Sequence, residues 1–111
     1  MDKEKLLELT EGKNVELKKA KNNVPDSFWD TYSAFANTDG GLVVFGVDEK
    51  NNEVTGVDDP YKLRDDLFNL LNNTQKVSAN IIEDEDVRII NLEDGTNVIF
   101  VHIPEAPYNL K

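Results

Sequence analysis

The chain has 111 residues, 22 of them acidic and 12 basic, and no cysteine. That length supports one domain around a single core, and the missing thiol excludes disulfides, cysteine nucleophiles and cysteine-ligated metal clusters. The net charge of −10 argues against non-specific DNA binding, which runs on neutralised phosphate, and no apolar run reaches the ~18 residues a membrane span needs.

The charge is uneven. Residues 1–24 hold six lysines against five carboxylates, a net of +1, whereas the remainder holds six basic and 17 acidic residues, a net of −11. An anionic partner would approach the N-terminal segment; otherwise the acidic surface only keeps the domain soluble. The charged start, Met1-Asp2-Lys3-Glu4-Lys5, is not a signal-peptide core, and the cysteine-free composition fits a cytoplasmic location.

Asp2 to Thr10 reads as a short helix with Leu6, Leu7 and Leu9 apolar. Residues 13–20 alternate, Val15 and Leu17 on one face and Glu16 and Lys18 on the other, the pattern of a half-buried strand. Pro25 and Asp26 are expected to open a helix, whose apolar positions Phe28, Tyr32, Phe35 and Ala36 follow helical spacing. Gly40-Gly41 ends it. Ala34 and Ala36 would let this helix pack closely, while Asn37, Asp39 and the glycines turn the chain into the next strand.

Leu42 to Val47 is a nearly continuous apolar run, expected as a central strand buried on both faces. A turn over residues 48–52 leads to a short return strand over 53–55. Pro60 to Asn72 reads as an amphipathic helix. Strands are expected over 77–82 and 87–92, separated by the acidic stretch Glu83-Asp84-Glu85-Asp86, which reads as a solvated turn or a protected strand edge. Asp94-Gly95 signals a hairpin, and the last strand runs from Asn97 to Ile103. The expected fold class is α+β: a mixed sheet with two main helices and a C-terminal β-hairpin. The domain is expected over 1–103, with 104–111, rich in proline, as the start of a linker to a further C-terminal region.

No Walker-type phosphate loop is present, so the chain carries no ATP motif. His102 stands in a predicted strand with no partner pattern around it, which reads as a tolerated strand residue rather than a base. Glu11, Glu16 and Asp48, with Lys18, would converge at one sheet edge if the first two strands are neighbours. Such carboxylates bind Mg²⁺ or Mn²⁺, and a metal held there would serve phosphodiester cleavage. Against this stands the plain alternative of solvated polar positions on half-exposed strands and turns. Lys13, Lys18, Lys19 and Lys21 form the main basic cluster, with Lys76 and Arg88 as further candidates. It reads either as a phosphate track or as an ordinary charged strand, with no interleaved aromatic residues for bases to stack on.

Two segments resemble the Schlafen-type AlbA domain, also called the divergent AAA domain. Glu11-Gly-Lys-Asn-Val-Glu16-Leu-Lys18 is similar to its opening Glu–x4–Glu–(Phe/Leu)–Lys. Ser33-Ala-Phe-Ala-Asn37-Thr38-Asp39-Gly40-Gly41, followed by Leu42-Val-Val-Phe-Gly46-Val47-Asp48, resembles its signature, AFANT-x-GG-x4-GVD. The resemblance implies the N-terminal module of a bacterial transcriptional regulator that binds nucleic acid, DNA or structured RNA. In vertebrate Schlafen proteins two such domains pair, and two glutamates and an aspartate with a divalent metal cut tRNA or rRNA. By motif these acids fall on Glu11, Glu16 and Asp48, and the pairing implies a homodimer here. The readings carried forward are a nucleic-acid-binding module using Lys13, Lys18, Lys19 and Lys21, a metal-dependent endoribonuclease, and a non-catalytic dimerisation scaffold.

Overall fold

The computed structural model describes residues 1–12, 14–73 and 80–107. Its elements are helix α1 (Lys3–Leu9), strand β1 (Val15–Lys18), helix α2 (Phe28–Ala36), strands β2 (Gly41–Phe45), β3 (Val47–Asp48) and β4 (Glu53–Val54), helix α3 (Pro60–Leu71), and strands β5 (Val87–Asn91) and β6 (Asn97–Ile103). Four strands form one sheet in the order β1-β2-β6-β5, and β3 and β4 form a second, two-stranded sheet. β1 runs parallel to β2, while β2–β6 and β5–β6 are antiparallel. This is the expected mixed α+β fold.

The sheet has two unlike faces, set by alternation along each strand. On one lie Val43, Phe45, Ile99, Val101 and Ile103, packed against Phe28, Tyr32 and Ala36 of α2 and Leu63, Leu67 and Leu71 of α3. On the other lie Val44 and Val98, covered by Leu6 of α1, with Val47, Val54 and Leu92. Val43, Val44 and Phe45 have no solvent exposure, as expected of a central strand covered on both sides. Full burial of side chains of this size contributes about 1.5–3 kcal/mol each.

Helix starts follow local chemistry. Asp2 accepts from Lys5 N at the start of α1, and Asp59 accepts from Lys62 N at the start of α3, where Pro60 occupies the first turn. α2 begins later than Pro25-Asp26 suggested. Phe28 N donates to the Pro25 carbonyl at 2.9 Å, so these two residues form a turn ahead of the helix, and Ser27 is the N-cap.

Two further departures from the sequence reading have local causes. The apolar run does not continue as one strand, because the chain turns at Gly46. Its φ is +107°, strained for any residue with a side chain, and a Cβ there would crowd Val98 Cγ1 at 3.0 Å, so glycine suits the position. The Gly46 carbonyl accepts from Thr55 N and Gly56 N, each at 2.9 Å, which diverts β3 into its own hairpin. Of the strand expected over 77–82, residues 77–79 lie outside the described residues, and 80–82 pair with no strand. Ile82 N donates instead to Asn80 Oδ1 at 2.9 Å, which satisfies the amide a ladder would have used. The acidic stretch is a solvated turn as read from sequence: Asp84–Asp86 take 3₁₀ form, and the Glu83 and Asp86 side chains cap each other's main chain.

The segment after α2 is a tight corner. Thr38 Oγ1 donates to the Ala34 carbonyl at 2.8 Å, and Gly40 N to the Phe35 carbonyl at 2.9 Å. Gly40 has φ +80°, and a Cβ there would stand 2.6 Å from the Ile103 carbonyl oxygen. The segment expected as linker begins against the domain: Ala106 is buried, and its N–H donates to the Ala36 carbonyl at 2.8 Å. Residues 108–111 lie outside the described residues.

Candidate functional site

β1 lies at one margin of the main sheet, and its register sets out the candidate residues. Glu16 stands beside Val43 and Lys18 beside Phe45. Both side chains therefore leave the sheet on the side that carries α2 and α3, while Val15 and Leu17 join the apolar cluster on the other side. Lys18 reaches the start of α2, where its Nζ donates to Ser27 Oγ at 3.0 Å. The Ser27 hydroxyl makes no capping bond to its own helix. An ammonium thus stands at the end of α2 that already carries positive partial charge, and the two potentials add.

Lys19 and Lys21 follow on an exposed bend, where Ala20 takes φ +37°. That bend is anchored by Asp58 N donating to the Lys21 carbonyl at 3.0 Å, which leaves the Lys21 ammonium outside. Lys13 and Lys76 lie outside the described residues. Arg88 does not join the lysines: it is on β5, at the opposite margin of the sheet, where its Nε donates to the Glu85 carbonyl at 3.2 Å.

The three carboxylates occupy separate surroundings. Glu11 is exposed just after α1, and Glu16 is half-buried on β1. Asp48 lies five residues beyond the strand partner of Glu16, past the turn at Gly46. Its carboxylate accepts from Asn51 Nδ2 at 2.8 Å and from Asn51 N at 3.4 Å, closing the β3–β4 turn. The Asn51 side-chain bond, joined by the Asn51 N–H and the Lys19 charge, holds its carboxyl below the ordinary 3.8 against an opposing desolvation. Among the described residues no three His, Asp or Glu side chains stand close enough to hold a metal ion. As placed, Glu11, Glu16 and Asp48 do not form such a group, and the Asp48 carboxylate turns to Asn51.

The signature residues lie at the end of α2 and at the two ends of β2. Asn37 caps the C-terminal end of α2, Thr38 and Gly40 hold the corner, Gly41 opens β2 opposite Ile103, and Gly46 ends the strand.

One pairing escaped the sequence reading. His102 Nδ1 lies 3.1 Å from Asp86 Oδ1, above a shallow hollow lined by Leu42, Glu85, Arg88 and Phe100. The hairpin contained the signal: β5 and β6 pair Val87 with Val101, so one step further back from the Asp94-Gly95 turn sets Asp86 opposite His102.

Among the described residues no helix is long and apolar enough to cross a membrane. A solved structure, the DIP2311 protein from Corynebacterium diphtheriae, is similar to this chain with a TM-score of 0.57 and 17% identity. The likeness covers 94% of this chain and 24% of that one, so the chain spans about a quarter of that protein's length and shares its fold there. The model of the family described as Schlafen, AlbA_2 matches residues 11–111. With the corner after α2, the mixed sheet and a match over nearly its whole length, the chain belongs to the Schlafen, AlbA_2 family.

Proposed function

We propose that this domain is a nucleic-acid-binding module of a bacterial transcriptional-regulator-type protein, acting in the cytoplasm. Family membership supports the class of ligand. The observation that carries the reading is the position of Lys18: its ammonium sits at the N-terminal end of α2, with Lys19 and Lys21 on the bend that follows. Three lysines of an acidic domain thereby stand at one sheet margin and on the bend beside it, a placement suited to backbone phosphate. Binding there would rest on charge and shape, since no aromatic residues interleave with the lysines to stack bases. Specificity would come from parts of the protein outside this domain.

The test is a fluorescence-anisotropy titration of labelled tRNA and duplex DNA at low salt, with and without Mn²⁺, with the products run on a gel. Binding that weakens steeply with salt and leaves the nucleic acid intact supports the module. Mn²⁺-dependent cleavage lost in Glu16→Gln would replace it with the endoribonuclease reading, and the carboxylates would then have to rearrange around the ion. No binding at any salt would leave the scaffold.

A further inference from the structure

β1 pairs with β2 on one side, and its other side is the margin of the sheet. Leu42 N donates to the Asn14 carbonyl and Gly46 N to the Lys18 carbonyl, each at 2.9 Å. Even-numbered residues of β1 therefore turn their main-chain groups toward β2. Val15 and Leu17 turn theirs outward, and among the described residues nothing hydrogen-bonds to them there. Both are half-buried rather than covered. An open edge of this kind is a template for another strand.

We propose that two copies of this chain join edge to edge through β1, antiparallel, about a twofold axis at Leu17. An isologous contact needs a strand that complements itself when reversed. Hydrogen-bonded pairs across the seam can form only between outward-turned residues, which restricts the register to steps of two. Centred on Leu17, the pairing sets Glu16 opposite Lys18 of the second copy, and Lys18 opposite its Glu16. These are non-hydrogen-bonded pairs, the closer kind, with Cα atoms about 4.5 Å apart, and opposite charges in such positions favour pairing. Centred on residue 16 the seam would oppose two glutamates, and centred on residue 18 two lysines. The charge pattern thus selects one register and penalises its two neighbours.

The faces agree with the charges. Leu17 meets its counterpart on the side away from α2, with Val15 beside it, so two half-exposed apolar residues per copy become covered. The result is a continuous eight-stranded sheet. The Lys19 and Lys21 bends of both copies then flank one seam. The contact is short, since Ala20 with φ +37° ends the extended run, and it belongs among weak, small interfaces. This pairing goes beyond the nucleic-acid reading, and its test reads mass and cross-linking, so either can fail without the other.

Sedimentation equilibrium of the full chain up to about 1 mM at low salt should show a reversible dimer. Glu16→Lys and Lys18→Glu each place like charges across the seam, and both should be monomeric over the same range. Mixed in equal amounts, the two variants oppose unlike charges at both contacts and should form a one-to-one dimer. Because the chain has no cysteine, Leu17→Cys gives an independent readout. A hydrogen-bonded antiparallel pair sets Cα atoms about 5.5 Å apart, within disulfide reach, so mild oxidation should link two Leu17→Cys chains quickly. Tyr61→Cys, exposed on α3, should link far more slowly. A wild-type chain that stays monomeric, charge variants that associate as well as wild type, or equal linking rates at positions 17 and 61 would each overturn the proposal.

Discussion

Lys18 Nζ donates to Ser27 Oγ at 3.0 Å, a bond between the marginal strand and the N-cap of α2. It fixes the ammonium where the helix end adds to its field. Lys18→Ala should weaken nucleic-acid binding and lower the slope of log affinity against log salt by about one. Ser27→Ala frees the ammonium without removing it and should leave that slope unchanged. Salt titrations of the two variants separate the contribution of charge from that of position.

Gly40 should not tolerate a side chain. Its φ of +80° is strained for alanine, and the added carbon would meet the Ile103 carbonyl at 2.6 Å. Gly40→Ala should destabilise the domain by about 2 kcal/mol or more, read as a lower urea midpoint with an unchanged m-value. Gly95→Ala, with nothing within 4 Å of its added carbon although φ is +86°, should cost less, because only the backbone term applies.

Acid should loosen the C-terminal hairpin through Asp94. Its carboxylate accepts from Thr96 N at 3.0 Å and pairs with Lys3 Nζ at 3.2 Å. The Thr96 bonds first, then Lys3, hold its carboxyl at about 2, below its ordinary 3.8. The folded state therefore favours the ionised form. Its contribution to stability is complete above about pH 4 and is lost as the pH falls toward 2. The stability difference between wild type and Asp94→Asn should shrink across that window in urea titrations at successive pH values.

His102 should show a fixed tautomer when neutral. With Asp86 Oδ1 at 3.1 Å from Nδ1, the proton belongs on Nδ1, where the carboxylate accepts it. Nitrogen-15 shifts of the ring should report that form in wild type and revert toward the commoner Nε2–H form in Asp86→Ala.

Much of the fold was legible because local chemistry and tertiary packing agree. Asp94-Gly95 marked the β5–β6 turn, the amphipathic pattern from Pro60 marked α3, and the fully buried Val43 to Phe45 came from a nearly continuous apolar run. The break at Gly46 was hidden inside that same run, which has no period to lose. The candidate carboxylates were legible as residues and not as an arrangement. Asp48 reads from sequence as the end of a strand, and only the hairpin shows its oxygens engaged by Asn51. Asp86 was hidden in a run of four acidic residues until cross-strand register singled it out.

The segment Ser33 to Gly41 is spent on turning a corner: Thr38 ties back to Ala34, Gly40 presses on the Ile103 carbonyl, and Ala36 holds Ala106. A motif search keyed to those letters selects for a way of bending the backbone. Chains it retrieves will share the bend while remaining free to differ at positions such as Glu11, Glu16 and Asp48. Activity would then have to be sorted by what stands at those positions and at the open edge of β1, so chains alike in the motif can be unlike in chemistry.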